Sequence, residues 1–172
     1  MLAAIVFLCW LIIVAGVFWW YQVRHISSFD EHWASFSAAT LLNTKMRPQR
    51  GEALIVHIID PDCPCSRFSV KHIAELESKY GQQAEFININ TVAADDTRKA
   101  QLKSLVIPAS PAVAIWDKEG ELAYFGPYSG GKFCGEGFDF VATTLSSLGG
   151  NFNPRWINQE AVGCFCQWSE LI

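Results

Sequence analysis

Positive charge is scarce in this chain. Thirteen lysines and arginines stand against seventeen aspartates and glutamates among 172 residues, for a net charge of −4. Nothing resembles a basic stripe, which argues against nucleic acid as a partner. Lys45, Arg47 and Arg50 form a small basic group around Pro48, and they read as a solvated turn rather than a lipid-binding patch. Internal repeats and low-complexity segments are also missing. The length then suits one ordinary domain plus an appendage.

A second absence defines the appendage. Residues 2 to 21, LAAIVFLCWLIIVAGVFWWY, contain no charged or strongly polar side chain. As a helix the run is about 30 Å long, enough to span a hydrocarbon core. Trp19, Trp20 and Tyr21 gather at its far end, where amphipathic rings favour the headgroup region. The run is too long for the apolar core of a signal peptide, and no small-x-small cleavage site follows it. No second segment could surround it as a buried core helix. Residues 1–22 are therefore expected to be a retained transmembrane anchor. Arg24 just after it would, alone, keep the soluble part in the cytoplasm, but one arginine is a small bias. Five of the six cysteines lie outside the anchor, which favours an oxidising, periplasm-like compartment.

Residues 23–47 are expected to hold an amphipathic helix and linker. The helix is predicted over 27–43, with Ser28 and Glu31 at capping-box spacing and Phe29, Trp33 and Phe36 at helical steps. RPQRG marks a turn. EALIVHIID, from Glu52, is nearly all apolar, as a strand covered on both faces should be. CSRFSVKHIAELESKYG follows as a helix, with Phe68, His72, Leu76 and Tyr80 on one face and Gly81 as its stop. AEFININ reads as a second strand. Residues 94–105 read as a helix opened by Asp95 and Asp96, placed at the positive end of its dipole. AVAIW, DKEG and ELAYFG form a β-hairpin, and GFDFVATTLSSLGG a last helix. Residues 149–172 are a tail containing GCFCQW. Strands alternating with helices imply parallel pairs, and the hairpin adds antiparallel strands, giving an α/β mixed sheet between helices.

The chemistry concentrates in DPDCPCS, residues 60–66. Proline is favoured at the first helical position because its missing N–H would be unpaired there anyway. This places Cys63 at the N-cap and Cys65 in the first turn. A thiolate there is stabilised by free N–H groups and the dipole, while Asp60 and Asp62 oppose it by like charge. Helical positions i and i+2 lie about 200° apart, so a Cys63–Cys65 disulfide needs non-helical backbone and should be strained. The other possibility is a bond from one of the pair to a distant cysteine. Five cysteines outside the anchor cannot all pair within one chain. His25, His32 and His72 read as surface or helix-face residues, not ligands.

With these features in place, residues 50 to 148 resemble the thioredoxin-like superfamily. A cysteine motif follows the first core strand and opens a helix. SPAVAIWDKEGELAYFG is similar to the segment in which a cis-proline, here Pro111 after Ser110, precedes a hairpin. Gly126 matches the glycine after the last strand. The whole chain also resembles small membrane-anchored thioredoxin-like proteins of Gram-negative bacteria. This implies a thioredoxin-like domain over 48–148 and a single-pass inner-membrane protein with that domain in the periplasm. It departs from the family in carrying Cys63-Pro64-Cys65 where thioredoxins carry Cys-x-x-Cys. A peroxiredoxin reading fails, because Asp60 stands where a hydroxyl is expected.

What the resemblance implies for the site is as follows. Cys63 attacks and Cys65 resolves in disulfide exchange with thiols or disulfides of a substrate protein, while Pro111 lies beside the sulfurs and binds extended substrate backbone. His57 occupies the place of a buried, proton-shuttling acid, although the plainer reading is a hydrogen-bonded histidine in a strand. The loop carrying Cys134 returns to the cysteine end of the sheet, and the tail is long enough to bring Cys164 and Cys166 there as auxiliary thiols. Extended CFC would point both sulfurs to one side. Two further readings stay open. The cysteines could form structural disulfides without turnover. Alternatively, with no cofactor in the exchange reading, Cys63, Cys65, Cys164 and Cys166 could bind zinc or copper(I), although zinc ligands are usually spaced more widely.

Overall fold

The computed structural model describes residues 2–21, 26–29, 38–91, 97–103, 105, 107–131 and 137–168. It opens with α1 (Leu2–Tyr21), a single helix with no polar face. Its window Leu2–Trp20 is long and apolar enough to cross a membrane and is unburied throughout, a character that anchors and N-terminal signal sequences share. Then come β1 (Ile26–Ser28), α2 (Ala38–Asn43), β2 (Ala53–Ile58), α3 (Ser66–Tyr80), β3 (Ala84–Asn88), α4 (Thr97–Lys103) and β4 (Ala109–Ser110). The hairpin β5 (Ala112–Asp117) and β6 (Leu122–Gly126) follows, then β7 (Ser129–Gly130), β8 (Phe138–Asp139) and α5 (Phe140–Gly149). The chain closes with β9 (Trp156–Ile157), β10 (Val162–Cys164) and β11 (Cys166–Gln167).

The main sheet has the order β3-β2-β5-β6-β9. β2 and β3 are parallel, as the α3 crossover requires, while β5 runs antiparallel to both β2 and β6. The β3-β2-β5-β6 order, with helices on the sheet, is the thioredoxin-like mixed arrangement that the sequence implies. Every residue of β2 and β5 is buried, because both faces of the sheet are covered. Leu54, Val56 and Ile58 face one core with Phe29, Leu41, Leu102 and Phe165, while Ala53 and Ile55 face another with Leu76, Tyr128 and Val141. The β5–β6 turn closes through a Gly120 N–H to Asp117 O bond of 3.0 Å, and Gly120 supplies φ +83°, which a side chain would resist. Lys45 pairs with Glu121, and Arg47 donates to Glu119 O at 3.2 Å, so part of the basic group is tied to this hairpin.

The structure corrects two local expectations. The helix predicted from residue 27 is replaced at its start by β1, which pairs antiparallel with β10. Phe29, expected on a helix face, is fully buried and meets Phe125 and Phe165 edge-on, while its N–H donates to Ala161 O at 2.9 Å. Pairing with β10 thus sets the backbone of residues 26–28. Residues 30–37 lie outside the described residues. In α3, Phe68 is 48 % exposed, and the buried positions are Ser66, Ser69 and Leu76. Of the expected row, His72, Leu76 and Tyr80 do turn inward, with Ile73 beside them, and Phe68 alone lies outward.

Candidate redox site

β2 is central, and its last residue, Ile58, stands opposite Ala112 at the start of β5. The turn that leaves β2 thus emerges beside the segment that enters β5, which brings residues 60–65 next to Ser110 and Pro111. The Asp60 N–H donates to Ser110 Oγ at 2.8 Å and holds the two segments together. Within the turn, the Asp62 N–H donates to Asp60 Oδ1 at 2.9 Å, Cys63 N–H to Asp60 O at 3.2 Å, and Ser66 N–H to Cys63 O at 3.1 Å. Pro64 sits among these bonds without an N–H to leave unpaired. Cys65, not Cys63, is the N-cap of α3. The helix starts two residues later than Pro64 suggests, because bonds between residues three apart tighten this segment into turns. The Ser110–Pro111 peptide is cis, and Cys63 Sγ lies 3.6 Å from Ser110 O.

The tail completes the site. Cys63 is bonded to Cys166 and Cys65 to Cys164, so the Cys-Pro-Cys pair is joined to distant cysteines rather than to itself. β11 pairs antiparallel with β4, with Cys166 opposite Ser110 and Gln167 opposite Ala109. The two sulfurs of CFC both reach the cysteine motif, as the alternation of an extended chain allows. Phe165 between them is buried in the core against Phe29, with ring centroids 5.2 Å apart. Cys63, Cys65 and Cys164 are 2 %, 0 % and 6 % exposed, while Cys166 is half-buried, so Cys166 is the sulfur most open to a reagent from outside. The sulfurs of Cys63, Cys65 and Cys166 lie within 4.8 Å of one another. Cys134, His25 and His32 lie outside the described residues.

His57 lies on the α3 face of β2. Its ring stacks between Phe86 and Tyr128, each 5.7 Å away, and Nδ1 is 2.6 Å from the Tyr128 hydroxyl. Nε2 is buried without a hydrogen bond, 3.8 Å from the Glu77 carboxylate. Burial, then the neighbouring His72 charge, lowers its pKa to about 4. The ring is therefore neutral at pH 7, a hydrogen-bonded strand histidine, and proton traffic through it near neutrality would have to pass between its two nitrogens. Burial also pushes the Tyr128 hydroxyl well above its usual range, with the Glu77 charge adding to the effect. His72 is 3.5 Å from Asp139, and that contact raises its pKa against the effect of burial. Burial raises the Asp139 carboxyl, but His72 and the Ala142 N–H together outweigh it and hold the carboxyl low. Asp139 is also the N-cap of α5, accepting from Ala142 N–H at 2.8 Å, so this pair links α3 to α5. Sequence reading did not find Tyr128. The one available signal was that a histidine in an all-apolar strand needs a partner.

Strand order, a cysteine turn at the end of the central strand and the facing Pro111 define a thioredoxin-like protein with a four-cysteine centre. By sequence, the chain belongs to the family described as Domain of unknown function (DUF6436), whose profile matches residues 32–168. No curated protein matches it. Among solved structures it is similar to a hypothetical protein from Sinorhizobium meliloti 1021, at 18 % identity and TM-score 0.43, covering 70 % of this chain and 81 % of that one. A conserved protein from Geobacillus kaustophilus gives 13 % identity and TM-score 0.44, over 70 % and 79 % of the two chains. A thioredoxin-fold protein from Helicobacter pylori gives 17 % identity and TM-score 0.31, over 57 % and 72 %.

Proposed function

We propose that this protein performs thiol–disulfide exchange with protein cysteines, from a membrane anchor at residues 1–22 and with its domain in the bacterial periplasm. One observation carries the reading. The tail lies as an extended strand along β4 beside Pro111, and its Cys166 is covalently joined to Cys63. That is the arrangement an extended protein substrate would need, and here the chain fills it with its own CFC segment. In the exchange, a partner thiolate attacks Cys166 Sγ. A partner–Cys166 disulfide forms, the Cys63–Cys166 bond breaks, and Cys63 leaves as a thiolate near the N-terminus of α3, where the dipole stabilises it. A second partner thiolate then attacks the mixed disulfide and leaves Cys166 reduced. The partner has lost two electrons and two protons, and Cys63 and Cys166 have gained them. The reverse sequence delivers electrons to a partner disulfide. Cys65 and Cys164 form the second couple, and Pro111 supports the incoming strand. Two disulfides, and five cysteines outside the apolar helix, fit an oxidising compartment.

The test uses the full chain in detergent with a dithiol peptide. Oxidation of the peptide should open Cys63–Cys166, as mapped by peptide mass spectrometry, and should be lost in Cys63→Ser and Cys166→Ser. Acid-trapped protein from membranes should carry both disulfides. No peptide oxidation by the disulfide form would overturn the exchange reading, and fully reduced cysteines in cells would overturn the oxidising compartment.

A further inference from the structure

We infer that the same four sulfurs, once reduced, form a zinc site that holds the tail in place of the two disulfides. Spacing alone speaks against such a site, since a single residue between cysteines is narrower than usual zinc motifs. The tight turn at Cys63 and Cys65 and the extended tail answer that objection. They bring three sulfurs, Cys63, Cys65 and Cys166, within 4.8 Å of one another, and the fourth, Cys164, is bonded to one of the three. Around a tetrahedral zinc with Zn–S near 2.3 Å, neighbouring sulfurs sit about 3.8 Å apart. Cys63, Cys65 and Cys166 therefore need to shift by only about an ångström, while Cys164, which lies beyond 4.8 Å from at least one of them, moves further once its bond to Cys65 is cut.

The donor set fits this ion. Two sulfurs come from the turn before α3 and two from the tail, making the closed four-ligand set typical of structural zinc. Copper(I), also thiophilic, would not require all four. Three of the four cysteines are nearly inaccessible, so the site would be dry and the ion would exchange slowly with solvent ligands. The first turns of α3 lie beside the sulfurs, and their dipole favours the negative charge of a zinc thiolate.

The electron and proton balance is complete. Reduction by two equivalents of a dithiol delivers four electrons and four protons, breaks both S–S bonds and leaves four thiols and two oxidised dithiols. Zn²⁺ then takes four thiolates and releases four protons to solvent. Oxidation by a disulfide or a stronger acceptor would reverse the sequence and eject the ion. The tail is thus cross-linked to the domain in both redox states, by sulfur in one and by metal in the other.

The experiment uses the full chain in detergent, reduced by a phosphine under anaerobic conditions, desalted, incubated with zinc sulfate and desalted again. About one zinc per chain is expected in the reduced protein and less than a tenth in the disulfide form. Cobalt substitution should give the visible bands of a tetrahedral thiolate. Cys164→Ser and Cys166→Ser should each lose zinc affinity at least tenfold, while Cys9→Ser keeps the full equivalent. Less than a tenth of an equivalent in the reduced wild type, retention in both tail variants, or binding of copper(I) alone would overturn the proposal. Peptide oxidation by the disulfide form is read without zinc. Failure of one result therefore leaves the other standing.

Discussion

At the scale of single residues, the structure separates two histidines that the sequence could only place on elements. His57 is held neutral at pH 7 by burial, with a pKa of about 4, whereas the contact with Asp139 raises the pKa of His72. The signs are opposite. His72 contributes stability that is complete below its unfolded pKa near 6.5 and fades as pH rises through its higher folded value. Asp139 contributes above its unfolded value and fades only as pH falls through its lower folded one. Between pH 6.5 and 4, His57 therefore dominates this group. The unfolded chain binds its proton there and the folded chain does not. Stability should fall by about 3 kcal/mol as pH drops from 6.5 to about 4, the unfolded and folded pKa values of His57. Denaturant titrations at several pH values check this, and the difference should vanish in His57→Gln. Equal slopes for the two proteins would show that the ring protonates in place.

At the scale of elements, the tail is what sequence reading understated. As a tail with cysteines its reach was legible, but its three strands were not. β9 extends the main sheet, β10 holds the segment after α1, and β11 lies along β4. Strands of two or three residues carry no periodicity, so only their partners define them. The longer elements were readable because their patterns repeat: β2 as a continuous apolar run, α3 with its stop at Gly81, the hairpin with its DKEG turn. Pro111 was readable through the resemblance of the segment around it to the thioredoxin-like superfamily. The anchoring residue of the tail is Phe165, buried against Phe29. Phe165→Ala should cost about 3 kcal/mol in chemical denaturation with both disulfides intact. A loss below about 1 kcal/mol would mean that the bonds alone hold the tail down.

At the scale of the whole molecule, the two disulfides are nested, closing 103 and 99 residues of separation. Either one alone restricts the unfolded chain as a loop of about 100 residues does, an effect near 4–5 kcal/mol. Once the first is closed, the second closes only the short ring between the paired cysteines, which contributes about 2 kcal/mol. Cys65→Ala/Cys164→Ala should therefore lose about 2 kcal/mol in denaturant unfolding, and full reduction without metal about 6. Equal losses for the first and second bond would refute this. Ile26 stands only five positions after Tyr21 and pairs with Cys164, so the cross-linked tail also ties the domain to the segment following the apolar helix.

The sequence by itself determined whatever depends on neighbours along the chain. The apolar α1 follows from an unbroken composition, the sheet and its helices from periodicity, and the cysteine turn from two cysteines and a proline beside a buried strand. The tertiary structure decided which cysteine meets which. Pairing depends on where residues about 100 positions apart arrive, and that is set by β11 lying along β4 and by Phe165 entering the core. It also decided that His57 is neutral, because a pKa is set by the groups that surround a ring in space.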